Sequence, residues 1–290
     1  MELGKTLVLG FIAGATIVLG LPIGRLRRPM PSLKLVLNAT SVGILLFLVW
    51  DVFSAAWEPI DAALAAAREH TGGLGPVFGY GSLFTLGLTV GLLGLVGYDR
   101  YLDRSARSYR TSGPGTMSVT ERADRTGGIA TWSPARRLAL MIAIGIGLHN
   151  FAEGLAIGQA AASSEIALAT LLVVGFALHN ATEGFGITAP LSGDLDSNGV
   201  VRRPSWGFLL CMALIGGGPT FIGTAVGHNF SSEPVSVLFL TLAAGSIIYV
   251  VAQLLGVAAR AKRPDLLAYG LLIGLLAGFL TDAVVTAAGV

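Results

Sequence analysis

The sequence predicts an all-α polytopic membrane protein with eight transmembrane helices. Its 290 residues are 53% hydrophobic and only 12% charged, with a mean hydropathy of +0.73, which lies outside the range of ordinary soluble domains. The 40 glycines suit helices that pack closely in a bilayer, where small residues let backbones approach. These observations exclude a water-soluble monomer. With a single cysteine, Cys211, the chain also lacks an internal disulfide framework and any metal site built from two cysteines.

Each helix is predicted from a run of about 20 mostly apolar residues. The first run could instead be a signal peptide, but it has no clear basic start or small-residue cleavage site, and arginines follow it, so it is kept as a span. Residues 58–75 are predicted to form a short helix outside the membrane, ending in a glycine-rich turn. The predicted spans are residues 5–23, 37–57, 76–98, 138–160, 165–190, 206–227, 235–258 and 266–288.

Basic residues predict the orientation, because they are retained on the cytoplasmic side of a membrane. Four follow helix 1, eight follow helix 3, two follow helix 5 and three follow helix 7, so 17 of the 19 fall on one side. Only Lys5 and Arg68 fall on the other. We therefore expect a multi-pass protein of the cell membrane with both termini outside the cytoplasm. The 17 residues are Arg25, Arg27, Arg28, Lys34, Arg100, Arg104, Arg107, Arg110, Arg122, Arg125, Arg136, Arg137, Arg202, Arg203, Arg260, Lys262 and Arg263.

The whole chain, residues 1–290, is predicted to be one transmembrane domain with one long loop. Residues 99–136, after helix 3, are rich in Arg, Ser, Thr and Gly and poor in apolar residues. Such a segment cannot bury enough surface to fold alone, so we expect a flexible, basic, cytoplasmic loop. Its charge is best explained as enforcing the topology, and contact with lipid headgroups is the alternative.

Four carboxylates and two histidines stand out within the predicted spans. A charged residue at the centre of a membrane helix costs about 2.5 to 3.5 kcal/mol on insertion scales, so each of the six is a functional candidate. They are Asp51 in helix 2, His149 and Glu153 in helix 4, His179 and Glu183 in helix 5, and Asp282 near the outer end of helix 8.

A repeated motif, HNxxE, contains four of these six side chains. Residues four apart share one face of a helix, so each motif presents an imidazole and a carboxylate in one direction, beside an amide. The link between helices 4 and 5, residues 161–164, is so short that the two helices must be antiparallel neighbours. The two motifs are then expected to face each other in the middle of the membrane. They are His149, Asn150 and Glu153 in helix 4, and His179, Asn180 and Glu183 in helix 5.

The expected cluster is suited to a metal cation. Two glutamates cannot both ionise side by side in a low dielectric without a compensating charge, which a divalent ion supplies. Imidazole with carboxylate suits Zn, Fe, Mn, Co or Ni better than Ca or Mg. A single His–Glu pair could equally be a packing element or a proton relay, but two copies on adjacent helices favour a metal. Asp51 either completes or feeds this site, or forms a hydrogen bond to a neighbouring helix.

At these residues the sequence resembles the ZIP family of divalent metal transporters, in its bacterial branch. That family carries HNxPEGxAxG in helix 4 and a related H/Q-N/D-x-P-E-G in helix 5, and the two HNxxE motifs match both. The resemblance implies that the His, Asn and Glu of each motif hold the metal. It also implies a 3+2+3 bundle, in which helices 1 to 3 and 6 to 8 are related by inverted pseudosymmetry around helices 4 and 5.

Four positions depart from the family pattern. The prolines before the two glutamates are replaced by Ala152 and Thr182, so the residue that would kink each helix is missing. In helix 6 a glutamate is replaced by Thr220, and in helix 7 an acidic residue is replaced by Gln253. These last two departures weaken a second, adjacent metal site.

The predicted function is transport of divalent transition-metal cations into the cytoplasm, with zinc first and iron, manganese or others as further candidates. The chain is expected not to be an enzyme and to need no cofactor, since the metal is the cargo. Expected partners are the metal ions and the lipid bilayer; a homodimer is left open and no nucleic acid is expected.

Two alternatives belong to other functional classes. One is an intramembrane metal-dependent hydrolase, which needs three protein ligands and a separate base, although no HExxH motif is present. The other is a haem-binding membrane protein with His149 and His179 as axial ligands. Haem ligation has no need of the paired glutamates, which argues against it.

Overall fold

The computed structural model describes residues 1–25, 31–110, 129, 132–162, 166–194, 200–230 and 232–287. Eight α-helices lie within these residues, which confirms the all-α class. The helices are α1 (Leu3–Ala15), α2 (Pro31–Arg68), α3 (Gly75–Arg110), α4 (Pro134–Ala162), α5 (Ile166–Thr188), α6 (Trp206–Asn229), α7 (Glu233–Ala259) and α8 (Pro264–Ala287).

The helices have the lengths that a membrane requires. Seven helical segments in the described part of the chain are long and apolar enough to span a bilayer. The remaining helix, α5, has 23 residues and is therefore about 35 Å long, against a hydrocarbon core of about 30 Å. Several of its side chains are outside the described set. A multi-pass membrane protein is thus confirmed.

Short 3-10 turns extend two of the helices. Beyond α1 the chain continues through Thr16–Leu19 and Leu21–Arg25 in 3-10 geometry, so α1 and these turns together form the first span. Beyond α5 a 3-10 turn covers Ala189–Gly193. Helix α6 begins with a capped end, because the Ser205 hydroxyl accepts a hydrogen bond from the Phe208 amide at 3.1 Å and so satisfies one of the free amides of the first turn.

Two helices extend further than predicted. Helix α2 passes through Pro59 and continues to Arg68, so residues 58–68 are its last turns and not a separate helix. The alanine-rich sequence there favours helix, and one internal proline was not enough to end it. With 38 residues, α2 is about 57 Å long. Helix α3 continues to Arg110, so the first residues of the predicted 99–136 loop are helical; most of the rest of that loop lies outside the described residues.

Hydrogen bonds between distant parts of the chain mark the two ends of the bundle. At one end Arg25, after α1, donates to the carbonyl of Pro204, before α6. We call this the basic end, because it also contains Arg136 and Arg263 at the starts of α4 and α8. At the opposite end the Tyr80 hydroxyl, near the start of α3, donates to Glu233, at the start of α7.

Helix pairing follows a regular pattern. Helix α4 packs against α5, α6 and α7; α1 packs against α5 and α6; α2 packs against α5, α7 and α8; and α3 packs against α7. These pairs are preserved when helices 1, 2 and 3 are exchanged with 6, 7 and 8, and helix 4 with 5. For example, α2 with α8 becomes α7 with α3. The predicted 3+2+3 arrangement requires such a pattern, and that arrangement stays a prediction.

Candidate metal centre

In α4 the predicted His–Glu pair is present and buried. The His149 Nε2 atom lies 2.8 Å from the Glu153 Oε1 atom, one helical turn away, and both residues are almost fully buried. Helix periodicity places them on one face, and the short contact shows that their side chains meet. The contact gives these two buried atoms a polar partner in place of water, which burial in an apolar bundle requires.

Asn150 joins the two motifs. Its Nδ2 atom donates to Glu183 Oε2 of α5 at 3.2 Å and to the carbonyl oxygen of Gly216 in α6 at 2.9 Å. All of these groups are buried within the bundle. The amide therefore holds a carboxylate of the second motif beside the first, as the short link between α4 and α5 predicted.

Asn180 occupies the matching position in α5. Its Nδ2 atom donates to the carbonyl oxygen of Ala13 in α1 at 3.1 Å. Each motif asparagine therefore anchors its NH2 group on a carbonyl of a flanking helix, Gly216 of α6 in one case and Ala13 of α1 in the other. The sequence gives no signal for these carbonyl partners, because any residue supplies a carbonyl.

The amide oxygens of both asparagines are left for another partner. Asn150 and Asn180 are fully buried, and the Oδ1 atom of each has no hydrogen-bond partner among the described residues. Leaving a buried acceptor unpaired costs about 1 to 3 kcal/mol. An amide oxygen held in this way is a suitable ligand for a cation, and its anchored NH2 group fixes its direction.

A glycine follows each motif glutamate and brings a flanking helix close. A Cβ at Gly154 would lie 2.1 Å from the carbonyl oxygen of Thr220 in α6, and a Cβ at Gly184 would lie 2.3 Å from that of Ile17 beside α1. No side chain fits at such distances, so only glycine allows these contacts. Sequence reasoning assigned these glycines no role, although their position directly after each glutamate was a signal that could have found it.

Within the part of the chain that the structure describes, no three His, Cys, Asp or Glu side chains come close enough together to hold a metal ion. The predicted residue His179 lies on α5, but its side chain is outside the described set. Two contacts are formed instead: His149 with Glu153, and Asn150 with Glu183. The two asparagines would add amide oxygens to these groups.

Asp51 lies in a cavity that opens between α2, α5 and α8. The cavity has a volume of about 460 Å³, and its walls also include Asp282, Thr182 and Thr281, together with apolar side chains such as Phe176. Thr182 directly precedes Glu183 in the α5 motif. The cavity therefore brings two carboxylates of the predicted spans to the edge of the motif helices.

Comparison with known proteins identifies the family. A family model described as the ZIP zinc transporter matches residues 107–285, a range that contains both HNxxE motifs. The chain belongs to the ZIP family. The resemblance predicted from the two motifs is thereby confirmed. The matching family is one of transporters and not of enzymes, in agreement with the sequence prediction.

Several bacterial ZIP relatives are similar over the same length. The zinc transporter ZupT of Salmonella heidelberg (strain SL476) is 30% identical over 159 residues, which covers 54% of this chain and 51% of that protein. The zinc transporters ZupT of Salmonella newport (strain SL254) and Salmonella enteritidis PT4 (strain P125109) match with the same identity and coverage. The chain spans about half the length of the curated relatives it matches.

One of the departures from the ZIP pattern in helices 6 and 7 lies beside the motifs. Thr220 is fully buried in α6, where its carbonyl meets Gly154, and its Oγ1 atom has no hydrogen-bond partner among the described residues. Gln253 lies in α7 and is partly buried. A hydroxyl at position 220 brings no charge to neutralise a second cation, so this ZIP chain offers fewer candidate carboxylates here than the family pattern.

Proposed function

We propose that this ZIP protein carries divalent transition-metal cations across the cell membrane into the cytoplasm, with zinc as the first cargo. The observation that carries this proposal is the pair of buried amide oxygens of Asn150 and Asn180, for which the described residues provide no hydrogen-bond donor. The amide of Asn150 also contacts the buried carboxylate of Glu183. Hydrogen-bond donors and water would satisfy such oxygens in an ordinary core. A cation satisfies them here and also balances the carboxylate charge.

The proposed site is built from both HNxxE motifs. Glu153 and Glu183 supply the negative charge that allows a dication to enter a low-dielectric region. His149 and His179 supply nitrogen ligands, which favour zinc and its neighbours over calcium and magnesium. Asn150 adds an amide oxygen, and Asn180 adds the matching one from α5. The similarity to the zinc transporters ZupT supports zinc as the cargo.

The proposed direction follows from the charge distribution. The basic end faces the cytoplasm by the positive-inside rule, so the metal arrives from the opposite end. The cavity lined by Asp51 and Asp282 is the proposed route toward the motifs, because carboxylates lower the cost of bringing a cation between apolar helices. Bound metal then leaves toward the basic end as one part of the bundle moves against another.

Purified protein in liposomes tests this function directly. With a radiotracer outside, we expect saturable uptake of Zn²⁺, weaker uptake of Mn²⁺ and Fe²⁺, and none of Ca²⁺ or Mg²⁺ above that of protein-free liposomes. Uptake of Ca²⁺ equal to that of Zn²⁺, or no uptake of any ion by correctly folded protein, would contradict the proposal. Haem absorbance in the purified protein would favour the haem alternative instead.

A further inference from the structure

An ion pair fastens the start of α4 to the chain that follows α5. Arg136 Nε lies 3.1 Å from Asp194 Oδ2, and the Asp194 side chain is only 3% exposed. The Arg136 guanidinium also lies over the ring of Phe208 in α6, 5.4 Å from its centre. A buried carboxylate depends on its partner, because removing that partner leaves an uncompensated charge in a poorly solvated place. This pair therefore resists separation more than an exposed pair does.

Local backbone contacts hold Asp194 in place. Its amide donates to the carbonyl of Leu191 at 3.2 Å, at the end of the 3-10 turn, and its carbonyl accepts from the amide of Arg202 at 2.6 Å. The carboxylate is thus rigidly attached to the end of α5 and to the segment that leads into α6. A displacement of Asp194 would therefore also displace the end of α5 and the segment before α6.

The position of this pair in the hairpin formed by α4 and α5 limits how far α5 can slide along α4. At the opposite end α4 ends at Ala162 and α5 begins at Ile166, so only three residues of sequence separate the two helices. At the basic end, the ion pair of Arg136 and Asp194 joins the start of α4 to the chain that follows α5. Both HNxxE motifs lie between this ion pair and the short connection from α4 to α5. The axial position of α5 against α4 is therefore restrained at both ends.

We propose that Arg136 and Asp194 are a positioning pair, which sets the register of α5 against α4 and so keeps Glu183 within reach of Asn150. The inference rests on the proposed transport function. One helical residue rises 1.5 Å, and the 3.2 Å bond from Asn150 to Glu183 is already near the limit of a hydrogen bond. A slip of less than one residue therefore separates the two motifs.

The chain offers a matched control at the same end. Arg263 and Asp265 form an ion pair of 2.9 Å, but both side chains are about half exposed and lie two residues apart at the start of α8. This pair joins no two helices and is screened by solvent. Asp265→Asn therefore removes the same charge as Asp194→Asn without touching the hairpin.

Zinc uptake kinetics in liposomes test the proposal. For Asp194→Asn we expect the KM to rise about tenfold, the lower range for loss of a partner that orients metal ligands, with Vmax changed less than twofold. For Asp265→Asn both constants should stay within twofold of the wild type. An unchanged KM in Asp194→Asn would overturn the inference, and so would a raised Vmax, because the pair would then act as a gate. Absence of uptake by the wild type would instead refute the proposed function.

A second set of measurements separates positioning from simple loss of stability. Arg136→Gln should raise KM as Asp194→Asn does, whereas Arg136→Lys keeps the charge and should restore KM to within about threefold. Co²⁺ titration of the detergent-purified proteins, followed by visible absorption, should show about tenfold weaker binding and an altered band shape for Asp194→Asn. A band shape identical to that of the wild type, or equal damage from Arg136→Gln and Arg136→Lys, would overturn the inference.

Discussion

Single side chains in the two motifs have separate tasks. Each asparagine turns its NH2 group toward a carbonyl of a flanking helix, and its oxygen then points elsewhere. Each glutamate contributes charge, which an amide cannot supply. The glutamates are consequently the residues whose removal should be least tolerated.

We predict that Glu153→Ala and Glu183→Ala each abolish divalent-metal uptake while the protein still reaches the membrane. Without the carboxylate, a dication would be stranded in a low dielectric. Radiotracer uptake in cells, with membrane content measured by immunoblot, checks this. Glu58→Ala is a suitable control, because Glu58 is exposed in the last turns of α2. Normal uptake by either motif variant would refute the central site.

Asp51→Asn tests the proposed route. Asparagine keeps the shape and hydrogen bonding of aspartate but not its charge. If Asp51 helps cations into the cavity, its replacement should preserve folding and weaken apparent affinity several-fold, or shift the preference among zinc, manganese and iron. Uptake kinetics for the three metals in both proteins check this. Identical affinity and selectivity would return Asp51 to the role of a packing contact.

Sequence spacing was sufficient to predict the motif faces but not their partners. The HNxxE period placed His149 next to Glu153, and the short α4–α5 link placed Asn150 near Glu183. The anchors on Gly216 and Ala13 depend on how α6 and α1 cross the motif helices. Backbone carbonyls have no identity in a sequence, so only the packed structure could reveal them.

At the level of helices, the glycine after each motif glutamate controls how closely its helix meets a flanking one. We predict that Gly154→Ala and Gly184→Ala each lower stability by about 1 to 3 kcal/mol, because the new methyl would meet backbone that cannot move aside. Thermal unfolding in detergent checks this. Gly94→Ala in α3 is the control, since no atom lies within 4 Å of a Cβ there.

An equal stability of all three variants would show that α4 and α5 can move away from their neighbours at little cost. A selective loss of metal binding in Gly154→Ala or Gly184→Ala, without loss of stability, would also contradict the packing explanation.

Helix extents were predicted less well than helix existence. Hydropathy detects the apolar segment that fits the bilayer. It does not predict where the helix ends outside the bilayer. The polar end of α2 continues because its alanine-rich residues are good helix formers, which a search for apolar runs does not detect. The 3-10 turns after α1 and α5 were likewise invisible to such a search.

Over the whole molecule, close glycine contacts join α1, α4, α5 and α6 into one group, and we take the remaining helices as a second group. Gly154 and Gly184 join α4 to α6 and α5 to α1. The other group contains α2, α3, α7 and α8, in which a Cβ at Gly274 would lie 2.1 Å from the Thr40 carbonyl oxygen, and one at Gly91 would lie 2.1 Å from that of Leu242. Transport by relative movement would then displace the first group, which contains both HNxxE motifs, against the second.

Crosslinks can test this movement in a Cys211→Ser background. A Cβ at Gly186 would lie 3.8 Å from the Cβ of Ser41, a distance suited to a disulfide between α5 and α2. A Cβ at Gly24 would lie 3.0 Å from the Cβ of Thr188, within the first group. A small separation of the two segments would bring this pair to the Cβ–Cβ distance of about 3.5 to 4.5 Å found in disulfides. We predict that oxidation of the Gly186→Cys, Ser41→Cys pair stops uptake and that reduction restores it.

The Gly24→Cys, Thr188→Cys pair is the control and should transport when oxidised. Uptake unaffected by the crosslink between groups would indicate a pathway that conducts without this movement.

Membrane orientation is also a property of the whole molecule. The predicted placement of 17 basic residues on one side leads us to expect that Ser118, in the predicted long loop, faces the cytoplasm. A Ser118→Cys probe in the same Cys211-free background should therefore resist an impermeant maleimide in intact cells and react after permeabilisation. Labelling in intact cells would reverse the assigned orientation, and with it the direction of transport.

The length of α2 offers a practical handle on this small protein. At about 57 Å, its 38 residues exceed the full thickness of a bilayer with its headgroups, which is about 40 to 45 Å. Its far end is therefore a helical extension continuous with a membrane helix. A tilt of a few degrees within the bilayer would be magnified at the tip of this extension. A fluorophore attached near Arg68 could thus report tilting of α2. An antibody fragment bound there could mark the orientation of the protein in electron micrographs.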